Sequence, residues 1–324
     1  MQTEVKTELN VFAKSGREDL ALVYLANFNN KSDRCIELVE SLEPGVPRNK
    51  KWVLIISTLF GCPVKCSMCD AGTSYKGKLT KEELLNQIDF LITKKFPDRI
   101  VPVEKFKIQF ARMGEPALNN NVLDVLEELP CLYDAPGLMP CISTVAPANR
   151  EKFFLKLINI KNKHYSNGKF QMQFSIHSTD PNQRDELIPF KKWDFSEISG
   201  FGNSYYKKGD RKIALNFALA KNVKIDPDIL LSYFDPDKYI LKITPVNPTY
   251  SAVKNHLGSY ITTDNPDENQ IINTLKTAGY DIVLSIGPLD ENNIGSNCGQ
   301  NLMRHLSCEE NIVNSYTYEI KEVV

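Results

Sequence analysis

Three cysteines within eight residues constrain this chain more than any other feature. Cys62, Cys66 and Cys69 lie in the stretch Gly61-Cys62-Pro63-Val64-Lys65-Cys66-Ser67-Met68-Cys69-Asp70-Ala71-Gly72, at the spacing C-x3-C-x2-C. Thiolates held this close on one tight loop suit a soft metal centre. Three ligands rather than four fit a 4Fe–4S cube, whose fourth iron stays open for a non-protein ligand. A structural zinc site completed by a distant His or Cys, and a loop with no metal, are the alternatives. The flanks narrow the setting. Trp52-Val53-Leu54-Ile55-Ile56 reads as a buried parallel strand. Thr80 and Glu83 stand at capping-box spacing, and Leu84, Leu85, Ile88, Leu91 and Ile92 follow in a helical pattern. A metal loop between a strand and a helix is what an α/β barrel offers at the C-terminal ends of its strands.

The rest of the chain repeats the strand–helix unit. Strands are predicted over 106–111, 139–145, 170–176, 213–219, 239–245 and 281–286. Helices are predicted near 120–129, 149–160, 184–187, 194–206, 226–234 and 266–278. Such alternation implies a parallel sheet covered by helices, and right-handed crossovers curl it into an α/β partial (β/α)6 barrel. Upstream, 21–28 and 34–41 are β-like runs around the turn cluster 29–33, which predicts a small β-hairpin. Residues 1–20 are polar and weakly patterned. Residues 249–265, rich in Asn, Ser, Thr and Gly, read as a long mobile loop. The expected organisation is an N-terminal extension over 1–50, a barrel over 51–290, and a C-terminal segment over 291–324 that carries Cys298.

Charge and cysteine usage exclude some classes. The chain has 324 residues and a net charge of −1, so it lacks the global basic signature of nucleic-acid binding. Local basic clusters, such as Lys207-Lys208 with Arg211-Lys212, read as solvated faces or as RNA contacts. The eight cysteines are not spaced as a secreted disulfide framework. The polar, acidic start is no signal peptide, and no apolar run approaches the ~18–20 residues of a membrane span. A cytoplasmic protein without a membrane segment is expected.

The cysteine spacing resembles the signature of the radical S-adenosylmethionine (SAM) superfamily. The resemblance implies that the open iron is chelated by the amino and carboxylate groups of SAM. One electron, from a reductant such as flavodoxin or ferredoxin, then cleaves SAM to a 5′-deoxyadenosyl radical. Gly114-Glu115-Pro116 closes the second strand where that superfamily carries a "GGEP" turn. There Gly114 lets the backbone approach the ligand, and Glu115 accepts the SAM ammonium.

Further motifs, in register over roughly 34–306, resemble the RlmN/Cfr adenine methyltransferase branch. Ala111-Arg112-Met113-Gly114-Glu115-Pro116-Ala117-Leu118-Asn119 is similar to "MGMGEPLLN". Cys141-Ile142-Ser143-Thr144 is similar to an "LSTSG" strand end, and Ser143 matches a SAM-contacting serine. Phe174-Ser175-Ile176-His177-Ser178 resembles "ISLHAP", with Ser175 and His177 at positions that hold SAM. Lys242-Ile243-Thr244-Pro245-Val246-Asn247-Pro248 resembles "INLIPWNP", with Asn247 at the adenosine-contacting position. Asn297-Cys298-Gly299-Gln300 resembles "ACGQL", which implies that Cys298 is the methyl-carrying thiol. Ile36-Glu37-Leu38-Val39 fits an "IETV" strand whose Glu, here Glu37, is the proton acceptor. RNA is the substrate the resemblance implies.

Two departures bear on that implication. The family's second catalytic cysteine, seven residues before the first cluster cysteine, is Ile55 here. Cys35, two residues from Glu37 on the same strand face, is a candidate substitute. Only about 50 residues precede the cluster strand, so the family's helical RNA-binding extension is missing. A radical SAM enzyme acting on a small molecule or peptide is therefore the rival expectation. A cluster-bearing sensor is a third, disfavoured because a sensor needs no SAM cage.

Overall fold

The computed structural model describes residues 7–259, 266–287, 289–297, 300–307, 312 and 315–323. Three antiparallel strands come first: β1 (Leu9–Arg17), β2 (Ala21–Phe28) and β3 (Cys35–Ser41). β4 (Lys51–Ile56) pairs antiparallel with β3. The short strands β5 (Leu59–Phe60) and β6 (Gly77–Lys78) pair with each other and bracket the cysteine loop. Then follow α1 (Lys81–Thr93), β7 (Lys105–Phe110), α2 (Asn121–Leu132), β8 (Leu138–Thr144), α3 (Glu151–His164) and β9 (Gln171–Ser175). The series continues with α4 (Pro181–Leu187), α5 (Phe195–Tyr205), β10 (Ile213–Leu219), α6 (Pro227–Tyr233) and β11 (Tyr239–Pro245). It ends with α7 (Tyr250–Lys254), α8 (Pro266–Thr277), β12 (Ile282–Leu284), α9 (Leu289–Ile294), α10 (Asn301–Ser307) and β13 (Ile320–Glu322).

One eleven-stranded sheet holds all but β5 and β6, in the order β12-β11-β10-β9-β8-β7-β4-β3-β2-β1-β13. From β4 through β7 to β12 every neighbouring pair is parallel. This is the expected α/β barrel, with the N-terminal strands continuing its sheet. Besides the short elements β5, β6, α9, α10 and β13, two further elements were not expected. Residues 9–17 form β1, whose register with β2 shifts between Val11 and Ala13. Residues 250–254, expected within a mobile loop, fold as α7.

Alternation along the strands defines two faces. Phe106, Ile108 and Phe110 on β7, Met172 and Phe174 on β9, and Leu215 and Phe217 on β10 are buried in the main hydrophobic core. Phe154 of α3 and Phe201 of α5 pack edge-on or tilted against Phe174, which identifies this as the helix-covered face. The residues between them face the barrel interior: Lys107 and Gln109, Gln171, Gln173 and Ser175, Ala214 and Asn216. Most of these are only half-buried, so the interior is open to solvent.

The predicted capping box at α1 is present. Thr80 Oγ1 accepts from the Glu83 backbone N–H at 3.1 Å, and Glu83 Oε2 accepts from the Thr80 N–H at 2.8 Å. Thr80→Ala is expected to lower unfolding stability by about 1 kcal/mol, measured by denaturant titration, while leaving bound iron unchanged because the box lies beyond the cysteine loop.

Candidate active site

The cysteine loop leaves β5 through a glycine that nothing else can replace. Gly61 has φ +72°, and a Cβ there would lie 1.4 Å from the Ser74 carbonyl oxygen. The loop closes on itself where the Cys62 N–H donates to the Ala71 carbonyl at 2.7 Å. Asp70, fully buried, then fastens it to α7. Its carboxylate accepts from the backbone N–H groups of Tyr250 (3.2 Å) and Ser251 (2.8 Å) and from the Tyr316 hydroxyl (3.1 Å). In return Thr249 Oγ1 donates to the Met68 carbonyl at 2.8 Å, and Asn255 Nδ2 to that of Ser67 at 2.7 Å. Tyr250 and Tyr316 stack at 5.3 Å over this junction.

The surroundings of the cysteines are apolar. Val64, Val145, Leu187 and Ile188 form a small core against which Cys62 and Cys66 pack. Burial, with the neighbouring Cys69, pushes the Cys62 thiol up to about 12, and the same causes raise Cys66. Thiols such as Cys62 and Cys66, which resist ionisation here, fit a cationic iron–sulfur core, which supplies the counter-charge their thiolates lack. Among the described residues, no three Cys, His, Asp or Glu side chains converge on a single metal ion. Cube ligands each bind a different iron, so convergence on one point is not required of them.

Opposite the loop stands the turn after β7. Gly114 has φ +100°, and a Cβ there would sit 2.5 Å from that of Leu59, so the turn lies directly on the strand leading to the cysteines. The Met113 carbonyl accepts from the Thr58 and Leu59 N–H groups at 2.7 and 3.1 Å. Glu115 is buried, and both of its oxygens are engaged. Oε1 accepts from the Ala117 N–H (2.9 Å) and the Thr144 hydroxyl, and Oε2 from the Val145 N–H (2.8 Å). Burial pushes its carboxyl up to about 7 against the pull of these three donors.

Ser143 at the end of β8 and Ser175 at the end of β9 are half-buried and face the interior. His177 follows in a left-handed conformation (φ +64°), which turns its ring so that Nδ1 accepts from the Ala218 N–H at 3.0 Å. Burial, aided by Arg184, drives His177 down to about 4. It is therefore neutral, with the ring proton assigned to Nε2. Asn247 lies just past β11, half-buried, beside the segment that docks on the cysteine loop. The loop, Gly114-Glu115, Ser143, Ser175, His177 and Asn247 thus gather at one end of the barrel. Cys298 lies outside the described residues.

Glu37 lies on β3, deep in the molecule. It has no exposed surface and forms a buried ion pair with Arg112. Arg112 Nε donates to Glu37 Oε2 at 2.8 Å, and Glu37 Oε1 accepts from the Leu302 N–H of α10. The rest of the guanidinium donates to the carbonyls of Gly295 (2.8 Å), Ser296 (3.1 Å) and Asn297 (2.9 Å). In this structure Glu37 is an anchor for the C-terminal loop. Arg112, Asp70 and Thr144 are site residues that sequence reasoning missed. Arg112 and Thr144 stand within recognised motifs, and their polarity at strand ends was the available signal.

Ile55 is half-buried and faces the interior, in register with Val39 on one side and Gln109 on the other. Gln109 is in turn in register with Cys141. Cys141 is therefore about 10 Å from Ile55 across two strand spacings. Cys35 lies four residues along β3 from Val39, near the strand tops, where its thiol donates to the Ser32 carbonyl at 3.1 Å.

No protein-family model matches the chain. In sequence it is similar to proteins named probable dual-specificity RNA methyltransferase RlmN. That of Pseudothermotoga lettingae is 29% identical over 203 residues, which cover 60% of this chain and 55% of that protein. That of Petrotoga mobilis is 27% identical over 262 residues, covering 78% and 69%. The chain spans little more than half the length of the first of these. Among solved structures, a radical SAM methyltransferase from Sphaerobacter thermophilus aligns with a TM-score of 0.66 at 17% identity, over 90% of this chain and 80% of that one. The chain thus shares the fold of that methyltransferase and is similar in sequence to the RlmN-named proteins. Among the described residues, no helix is long and apolar enough to cross a membrane.

The Arg112–Glu37 pair yields a direct test. Arg112→Met strands a buried carboxylate and should cost about 3–5 kcal/mol. Adding Glu37→Gln should recover part of that loss, giving a coupling energy above about 1 kcal/mol in a double-mutant cycle read by urea unfolding. Additive losses would mean that the two side chains do not act together.

Proposed function

We propose that this chain is a radical SAM methyltransferase of the RlmN/Cfr type that works in the cytoplasm. Cys298 carries the methyl group to an electron-poor carbon, with adenine in RNA as the substrate its relatives point to. The observation that carries this reading is the meeting of the three-cysteine loop and the buried Glu115 turn at one end of the barrel. In it, Cys62, Cys66 and Cys69 hold a 4Fe–4S cluster. The cluster and SAM, when bound and reduced by a flavodoxin- or ferredoxin-like donor, supply radical chemistry and a methyl group.

The chain's own residues do the rest. Asp70 and α7 keep the cysteine loop closed over its apolar bed. Glu115 accepts the SAM ammonium with its remaining lone pairs, its position set by Thr144, Ala117 and Val145. Ser143 and Ser175 present hydroxyls to SAM, neutral His177 offers an Nε2–H donor, and Asn247 meets the adenosine. Arg112 fixes residues 295–297, and so fixes the approach of the chain to position 298. Cys298 would be the residue that receives a methyl group from bound SAM on its sulfur, the methyl–sulfonium bond breaking as the new C–S bond forms and S-adenosylhomocysteine leaving.

Ile55 supports a modified ending. An alkyl side chain cannot release a thioether-linked product by attack on sulfur. Cys141, on the interior wall in line with Ile55, is the better-placed thiol for that step, and Cys35 the worse-placed one.

Three measurements test the reading. Anaerobically reconstituted protein should bind about four irons, and its reduced form should cleave SAM to 5′-deoxyadenosine. A colourless protein binding one zinc would end the proposal. Mass spectrometry should find a methyl group on Cys298 after incubation with SAM, and with an adenine-containing RNA the Cys141→Ala variant should accumulate a protein–RNA crosslink. Absence of the methyl would remove the carrier mechanism. The third measurement concerns pH. Glu115 is protonated below about 7 and then cannot receive an ammonium. SAM affinity should rise as pH increases from 6 to 8, by up to about tenfold per unit below the transition. Glu115→Gln should bind SAM more weakly and with little pH dependence.

A further inference from the structure

Below the strand tops, the inner wall of the barrel carries lysines and amides where a barrel needs only packing. Lys107 on β7 reaches past β8, so that Nζ donates to Gln171 Oε1 on β9 at 2.8 Å. Lys242 on β11 reaches past β10 from the other side, its Nζ 3.4 Å from Gln173 Oε1 on the same face of β9. The small Ala214 lies between them in the register of β10, in line with Gln173 and Ile240. Two ammonium groups therefore converge over one strand. One step up β10, Asn216 is in register with Ser175 and Lys242. Asn216 is 8% exposed, and its Oδ1 has no hydrogen-bond partner.

We propose that this lower chamber is a binding subsite for an anionic group, a phosphate or a carboxylate, on the molecule to be methylated. The inference rests on the radical SAM methyltransferase reading and adds the chemical class of the substrate to it. An ammonium taken from water into a half-buried wall needs an anion or a full set of acceptors. Lys107 has one amide oxygen, and no carboxylate among the described residues pairs with it. Glu43 is exposed and bound to Lys51, and Glu291 faces Lys51 and Ser41. Burial lowers the Lys107 ammonium to about 8; Cys141 opposes this, and Lys105, Lys51 and Arg211 add to it. A bound anion would reverse that pressure. It would also meet the amide groups of Gln171, Gln173 and Asn216, whose NH2 ends rotate to donate. Lys107 lies three residues, or about 10 Å, below the top of β7. A molecule anchored there by its anion would hold a carbon near the strand ends where SAM binds.

The test uses the cluster-loaded protein at constant ionic strength, with inorganic phosphate and acetate as probes and chloride as reference. Thermal unfolding should show a saturable rise in midpoint for wild type with at least one probe, as expected for a ligand of the native state. The probe giving the tighter half-saturation identifies the group as phosphate or carboxylate. Lys107→Met should weaken half-saturation at least tenfold. Lys156→Met, a change to an exposed lysine of α3 paired with Asp124, should not. Should Lys107→Met fail to fold, Asn216→Leu reports on the same chamber. An unsaturable rise shared by all variants, an undiminished response in both chamber variants, or no response in wild type would overturn the proposal. Because this measurement needs no turnover, it is distinct from loss of SAM cleavage, which would sink the radical SAM reading itself.

Discussion

The Arg112 guanidinium joins three parts of the chain that are far apart in sequence. It leaves the turn that also carries Glu115, pairs with Glu37 on β3, and donates to the carbonyls of residues 295–297. Those carbonyls follow a short helix, and the buried ones of Gly295 and Ser296 would otherwise lack this donor, a cost of about 1–3 kcal/mol each. Glu37, fully buried, would likewise be an unpaired charge. A buried ion pair is a poor source of net stability compared with apolar packing, but removing one partner is costly. What the pair provides here is registration. The N-terminal strands, the Glu115 turn and the C-terminal loop cannot shift independently.

Asp70 plays the same part for the cysteine loop. It occupies the N-terminus of α7, where two backbone donors and a tyrosine hydroxyl hold it. Tyr316 contributes that hydroxyl and also accepts from the Gln300 N–H at 3.0 Å. The cysteine loop, the helix after β11 and the C-terminal segment thus share one buried polar junction. Two carboxylates, Glu37 and Asp70, tie the last 35 or so residues to the barrel by independent routes. The C-terminal segment is thereby anchored on both sides of position 298, by Arg112 at residues 295–297 and by Glu37 at Leu302.

Most of the fold was legible because its signals are local. Period-two and apolar runs marked β4 and β7 to β11, and the Thr80–Glu83 box marked the start of α1 at its true residue. β1 was missed because its register shift between Val11 and Ala13 breaks the period-two pattern that reveals a strand. α7 was missed because five residues carry no helical periodicity, and its N-terminal N–H groups are satisfied by Asp70, 180 residues upstream. The site showed the same division. Cysteine spacing and strand-end motifs located Glu115, Ser143, Ser175 and His177 at one barrel end. The partners of Glu37 and Asp70 could not be read, since an ion pair spanning 75 residues leaves no periodic trace.

The motif mismatches have a physical pattern of their own. Arg112 stands where the quoted turn motif has glycine, and Lys242 where the strand motif has asparagine. Each adds a cation to the barrel's inner face or rim, and Ile55 removes a thiol from the same wall. The strand-end residues that resemble the SAM-binding motifs hold neutral or anionic groups, suited to a cationic sulfonium. The wall beneath them is basic, with Lys105, Lys107 and Arg211 bearing on the buried Cys141 thiol. Opposite charges at two levels of one barrel wall favour ligands of opposite polarity at the two levels. The strand-end groups match the residues the motifs describe, and the lysines below them are what distinguishes this chain from what those motifs alone would specify.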